Sequence, residues 1–331
     1  MTTLRAFLAL LLFIATLGLA GFMGYAYVTG EFRAKGPLAE ERTVVIPPGS
    51  GVDAIAQTLA QEGIIAEPLV FKIGVRLSKT GRQLKAGEYQ FEPGVSPAQV
   101  MDLLVAGAVV QRRFTVAEGL TTATILDIIR GVEGLKGPIT LAPAEGALLP
   151  ETYNFQKGDT RDSVIRRMER AMTETLDRLW EGRAEGLPIS TKEQALILAS
   201  VVEKETGVAT ERPMVAGVFI NRLRKGMPLQ SDPTVIYGLS EGTGLLGRGL
   251  TRKDLGKEHP WNTYRIGGLP ATPICNPGTD AIAAVLHPAD TDALYFVADG
   301  TGGHAFARTL DEHNRNVRAW RKVQKSQPSR Q

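Results

Sequence analysis

Residues 198–207 read LASVVEKETG, an apolar run that stops abruptly at Glu203, Lys204 and Glu205. A helix that is otherwise apolar cannot push unpaired carboxylates into its own core, so each glutamate must face an opening or a partner. Successive helical residues are ~100° apart, which puts Glu203 and Glu205 on nearly opposite faces and rules out a close carboxylate pair. Glu203 continues the row Leu196, Ala199, Ser200, which becomes small toward its end and leaves room for a ligand. Glu205 continues the bulky row Leu198, Val201, Val202, so it is expected to be a structural neighbour of the site, paired with an arginine such as Arg212 or Arg222. Desolvation raises the pKa of a carboxyl at the lip of an apolar helix. An acid still protonated near neutral pH suits general-acid attack on a glycosidic bond. An ordinary charged last turn explains the same residues, and that reading stays open here.

Other residues with chemical potential are weaker. Gln230, Asp232, Asn262, Thr263 and Tyr264 are polar or aromatic groups in a long irregular stretch. Together with Ser200 they are the candidate substrate contacts, although such groups also satisfy loop backbone. Asp232 precedes Pro233 and reads equally as a turn or cap. The four histidines are not at ligand spacings and the single cysteine, Cys275, has no zinc pattern around it, so no metal and no cofactor is expected. GTGG at 300–303 lacks the Lys-Ser/Thr of a phosphate loop.

The elements that must position these groups follow from periodicity and punctuation. Residues 6–30 carry no charge and are long enough to cross a bilayer, with Tyr25 and Tyr27 at interfacial positions. A retained anchor is favoured over a signal peptide cut after Ala20, because the apolar run continues past that point. Arg5 on one side, and Arg33 and Lys35 on the other, leave the orientation undecided. After a polar linker at 31–42, a strand at 43–46, helices at 52–61 and 68–77 and a strand at 87–91 form a small βααβ module. A helix opening at 97, a strand near 109–116 and a helix near 122–129 complete the region 43–133. The Gly- and Pro-rich stretch 134–160 reads as a join, followed by helices at 161–180 and at 190–206, the latter capped by Ser190 with Glu193. A helix at 213–223, a loop-like region, a helix at 279–286, a strand at 293–298 and a helix at 310–325 follow.

Composition adds exclusions. The 331 residues are 43% hydrophobic and 22% charged, as in folded proteins, and a net charge of +3 with scattered basic residues marks no nucleic-acid face.

LASVVEKETG, GVFINRLRKGMPLQSDPTVIYG (217–238), NTYRIGGLPATPICNPG (262–278), LYFVADGTGGHAFARTLDEHN (294–314) and EGALLPETY (145–153) together resemble the endolytic murein transglycosylase, or YceG-like, family. The likeness runs in order from about Ile46 to Asn314. It implies an α+β protein: a transmembrane anchor at 1–30 with a short cytoplasmic N-terminus, the linker 31–42, a LysM-like region at 43–133, a larger mixed α/β catalytic domain at 134–325, and a tail at 326–331. It further implies a single-pass inner-membrane protein with a periplasmic body, acting on peptidoglycan glycan strands beside membrane-resident cell-wall synthases. By the resemblance Glu203 is the catalytic acid–base, cleaving between N-acetylmuramic acid and N-acetylglucosamine to leave 1,6-anhydromuramyl ends. Two alternatives stand beside it: a hydrolase in which Asp232 positions water, and a non-catalytic glycan-binding scaffold.

Overall fold

The computed structural model describes residues 2–326; of the expected tail at 326–331, all but Ser326 lies outside them. The chain divides into two units. One holds the residues up to Arg112 together with Asn154–Gly158, and the other holds Arg113–Tyr153 together with the residues from Asp159 onward.

The N-terminal unit begins with α1 (Thr2–Arg33), of which Phe7–Arg33 is long and apolar enough to span a membrane. Strand β1 (Arg42–Ile46) pairs antiparallel with β2 (Gly87–Phe91), Val44 opposite Tyr89. Between them lie α2 (Val52–Gln61) and α3 (Pro68–Leu77), which gives the βααβ order that the periodicity predicts. Alternation in the strands sends Val44, Ile46, Tyr89 and Phe91 inward, where they meet Ile55, Leu59 and Phe71. Helix α4 (Pro97–Ala106) closes this core behind a capping box of Ser96 and Gln99. Glu88, almost fully buried, is ion-paired to Arg112 at 3.0 Å and Lys157 at 3.4 Å.

The stretch 31–42, expected as a linker, is packed. Phe32 and Leu38 are buried in the core, and the Gly36 amide donates to Val95 O at 3.2 Å. A Cβ on Gly36 would fall 2.3 Å from that carbonyl, so only glycine allows the close pass.

Strands β3 (Arg112–Thr115) and β4 (Thr152–Phe155) form a second two-stranded sheet. Strand β4 lies inside the segment expected as a bare join; four residues are too few for alternation to stand out from Gly and Pro. The division after Arg112 falls about twenty residues before the expected boundary at 133/134. The reason is α5 (Thr122–Gly131). At its start the Thr122 amide donates to Glu145 and the Leu120 carbonyl accepts from Asn276, both within the larger unit.

In that unit α6 (Arg161–Glu181), α7 (Lys192–Glu205), α8 (Arg212–Arg224) and α11 (Thr279–Leu286) pack around a core that includes Leu198, Val201, Val202, Phe219, Ile282 and Val285. The expected loop contains two short helices, α9 (Asp232–Leu239) and α10 (Arg252–Leu255). At eight and four residues they are too short to show a helical period. Strands β5 (Tyr295–Ala298) and β6 (His304–Ala307) form an antiparallel hairpin, and α12 (Leu310–Ser326) follows.

Candidate active site

Helix α7 is the organising element. Its N-cap is Thr191, whose hydroxyl accepts from the Gln194 amide at 3.1 Å, one residue beyond the Ser190 cap expected from sequence. Two overlapping Ser/Thr-x-x-Gln/Glu patterns are present, and only the backbone conformation selects between them. The last turn presents Glu203 and Glu205 to two different surroundings, as helical phase requires.

On the Glu203 side both carboxylate oxygens are occupied by the protein. Arg212 Nη2 donates to one at 3.1 Å, and the Gly278 amide donates to the other at 2.9 Å. Arg212 also binds Glu118 at 2.9 Å and Asp280 at 3.5 Å. Only 5% of the Glu203 side chain reaches solvent. A Cβ on Gly278 would lie 1.8 Å from Glu118 Oε1, so a larger residue there would displace the Glu118 carboxyl from its present position.

The small row of α7 admits backbone, not a ligand. Ser200 is fully buried; its hydroxyl donates to Ile197 O at 2.7 Å and accepts from the Ile274 amide at 3.0 Å. Cys275 lies against the Ser200 carbonyl, its thiol pushed well up by burial. Ser200 therefore does not face a groove.

On the opposite side Glu205 lines a groove of about 470 Å³ with Gln230, Asp232, Tyr264, Tyr295 and Phe296. Its carboxyl accepts a short hydrogen bond from Ser231 Oγ. Burial pushes its pKa up to about 7; the Ser231 bond, His304 and Arg222 oppose the rise, and the charge of Asp232 adds to it. The two glutamates thus stand in surroundings opposite to those expected from stripe size. Arg212 binds Glu203, and Glu205 has the opening.

The groove is held by buried polar residues. Thr263 accepts from the Ser231 amide at 2.9 Å and exchanges a hydroxyl bond with Thr234 at 2.8 Å. Asn262 donates to Leu255 O at 3.0 Å and Lys257 O at 2.6 Å, and accepts from the Tyr264 amide at 3.0 Å. Both side chains are fully buried and are scaffold, not groove surface. Tyr264 is partly buried and donates its hydroxyl to Asp232 Oδ1 at 2.6 Å; burial first, and then this bond, push its pKa up. Gln230 is exposed with φ +54°, a left-handed backbone rare for a residue with a Cβ. Arg222 fixes the loop from below, donating to Leu229 O and Leu294 O, each at 2.7 Å.

Of the expected contacts, then, Gln230, Asp232 and Tyr264 share the groove with Glu205, while Ser200, Asn262 and Thr263 do not reach it. Three further polar residues, one beside the groove and two elsewhere in the unit, stand outside the expected set. Ser231 donates its hydroxyl to the Glu205 carboxyl. Asn276 is a buried hub joining Leu148, Leu120, Thr122 and Glu145. Glu145, its pKa raised by burial, accepts from Thr122 and Tyr237. A serine wedged between Gln230 and Asp232 was the available signal for the first. Glu145 and Asn276 lie in stretches that carry the family resemblance, but their pairing joins segments more than a hundred residues apart, which spacing does not show. Among the described residues no cluster of His, Cys, Asp and Glu could hold a metal ion.

Comparison with known proteins agrees with this architecture. A family model described as the YceG-like family matches residues 44–319. The chain is 31% identical to the endolytic murein transglycosylase of Bacillus subtilis over 88% of its own length and 89% of that protein's. It is 29% identical to the endolytic murein transglycosylase of Streptococcus pneumoniae over 94% of its length, and there it spans 64% of the longer relative. A crystal structure of a YceG-like protein from Listeria monocytogenes is similar at a TM-score of 0.50 and 31% identity, covering 84% of this chain and 99% of that one.

Proposed function

The chain belongs to the YceG-like family, and on that premise we propose that it is an endolytic lytic transglycosylase of peptidoglycan, with Glu205 as its single acid–base. The observation that carries the assignment is the surroundings of the Glu205 carboxyl: it faces a groove and burial pushes its pKa up to about 7, whereas both oxygens of Glu203 are taken by Arg212 and Gly278. The Ser231 hydroxyl donates to one Glu205 oxygen, which leaves the acidic proton on the other.

In the proposed reaction that proton passes to the oxygen linking N-acetylmuramic acid to N-acetylglucosamine as the bond from the anomeric carbon breaks. The resulting carboxylate then takes the proton of the muramyl C6 hydroxyl, whose oxygen bonds to the anomeric carbon. A 1,6-anhydro ring closes, no water is consumed, and Glu205 ends protonated as it began. One residue with both duties needs no second carboxylate across the bond. Tyr264, Gln230 and the aromatic faces of Tyr295 and Phe296 supply the polar and stacking contacts that sugars favour.

Asp232 shares the groove and keeps a hydrolytic alternative in view, with water in place of the C6 hydroxyl. In the transglycosylase reading, its Oδ1 bond to Tyr264 makes it a positioning group. By the same family reading, α1 anchors the protein in the inner membrane with the body in the periplasm. The βααβ module is LysM-like, and cell-wall synthases are neighbours. Mass spectrometry of purified glycan strands digested by the native chain, by Glu205→Gln and by Glu203→Gln tests the proposal. Anhydromuramyl ends lost only with Glu205→Gln support it. Reducing muramyl ends from the native protein would establish hydrolysis instead, and activity surviving in Glu205→Gln would remove the acid assignment.

A further inference from the structure

The span does not end in a hinge. Helix α1 runs unbroken into the N-terminal unit, and Phe32 in its last turn is 8% exposed within that unit's core. The contact is against α3: a Cβ on Gly74 would fall 2.2 Å from the Phe32 ring, so helix and ring meet at bare backbone. From Tyr27, at the interfacial end of the span, to Phe32 is about 8 Å of helical rise. Gly74 of α3 is therefore held within about one helix diameter of Tyr27 along the helix.

That helix carries an apolar stripe that no core explains. Leu69 and Leu77 are 60% and 52% exposed, with Ile73 half-buried between them. At ~100° per residue the stripe lies beside Val70 and Gly74, the side turned to α1 and the core, while Lys72 and Arg76 follow on its other flank. Lys79 and Arg82 continue the basic edge past the helix end, and with Leu69, Lys72, Ile73 and Arg76 they border a depression of about 930 Å³. Lys79 stands at φ +58°, a helix-end position where glycine is the default. The acidic groups on this surface are Asp53, which Lys72 binds at 2.9 Å, and Glu67 at the helix start.

We propose that this face of α3 seats in the headgroup layer of the membrane that α1 spans, Leu69 and Leu77 entering the interface while Arg76, Lys79 and Arg82 hold anionic lipid phosphates. Leucines at the interface with long cationic side chains reaching the phosphates is the arrangement by which amphipathic surfaces bind anionic bilayers. Tethering by α1 removes the cost of bringing the surface to the lipid. The N-terminal unit would then be a fixed pedestal on the membrane and not a body swinging on a linker. This rests on α1 being a membrane span.

The test uses the full chain in nanodiscs containing phosphatidylglycerol. The native thiol, Cys275, is buried, so nitroxides can be placed singly through Leu69→Cys, Leu77→Cys and, as an aqueous reference, Glu174→Cys on α6. Labels at 69 and 77 are expected to gain contact with dissolved oxygen and lose contact with a water-soluble nickel chelate, relative to 174. Replacing phosphatidylglycerol by phosphatidylcholine, or Arg76 and Arg82 by glutamine, should shift the seated population back, roughly fivefold per cation removed. Nickel contact at 69 and 77 equal to that at 174, in protein that has entered the disc, would overturn the seating while leaving the span intact. Failure to enter the disc would remove the span and the proposal together.

Discussion

The two faces of the last turn of α7 differ by one lysine in sequence and by almost everything in environment. Glu203 meets a guanidinium and a backbone amide, which take both its oxygens. Glu205 meets one serine hydroxyl and a groove, and desolvation there favours its neutral form. Two identical side chains at the end of one helix thus stand in a charged clamp on one side and at an open groove on the other. The lesson is that the chemistry of a carboxylate is set by how many of its lone pairs the protein has already used.

The largest effect is expected at Glu205, the proposed acid. Glu205→Gln keeps size and the Ser231 bond but removes the proton, and should lower the rate of anhydromuramyl formation by roughly 10³-fold, a typical general-acid contribution. Glu203→Gln should lose about tenfold or less once folded, a contrast that a single turnover assay on purified strands would show. The clamp is tested next. Arg212→Met leaves Glu203 buried with one oxygen unpaired by charge and should cost about 3–5 kcal/mol, read as a lower denaturation midpoint with unchanged slope. Equal stability of Arg212→Met and native protein would mean that the cluster holds nothing together.

A third outcome concerns pH. A carboxyl whose folded pKa is near 7 and whose ordinary value is 4.5 binds its proton more tightly in the native state. Native stability is therefore favoured at low pH and declines as pH rises from about 4.5 through 7, by on the order of 3 kcal/mol from this group. The chain with Glu205→Gln should lack that decline; parallel stability curves for the two proteins would contradict it. Activity should likewise fall above pH 7 as the acid loses its proton. The smallest effect is expected at Tyr264→Phe, which removes the 2.6 Å bond to Asp232. It should cost about 1 kcal/mol of transition-state stabilisation, a several-fold drop in kcat/KM, with anhydro products retained.

How far these features are legible in sequence depends on their range. The helices at 52–61 and 68–77 and the strand at 87–91 match the periodic reading, because their apolar positions repeat within the element itself. The opposite facing of Glu203 and Glu205 is legible for the same reason. Which of them faces the groove is not. The small row Ala199–Ser200 looks like space for a ligand, but the backbone at Ile274 and Cys275, some seventy-five residues away, fills it. Likewise Asn262 and Thr263 carry the right chemistry for sugar contacts and spend it on Leu255, Lys257 and Ser231.

Sequence alone determined the apolar span, the βααβ order, the glutamate-ended helix and the opposite directions of its two carboxylates, all consequences of local geometry and residue type. The tertiary structure decided that Arg212 goes to Glu203, that Ser231, Gln230 and Tyr264 gather around Glu205, and that the stretch 31–42 is packed instead of free. Those outcomes depend on which distant donor reaches a given oxygen first and on which backbone a small residue admits. Neither is written in the spacing of neighbouring residues.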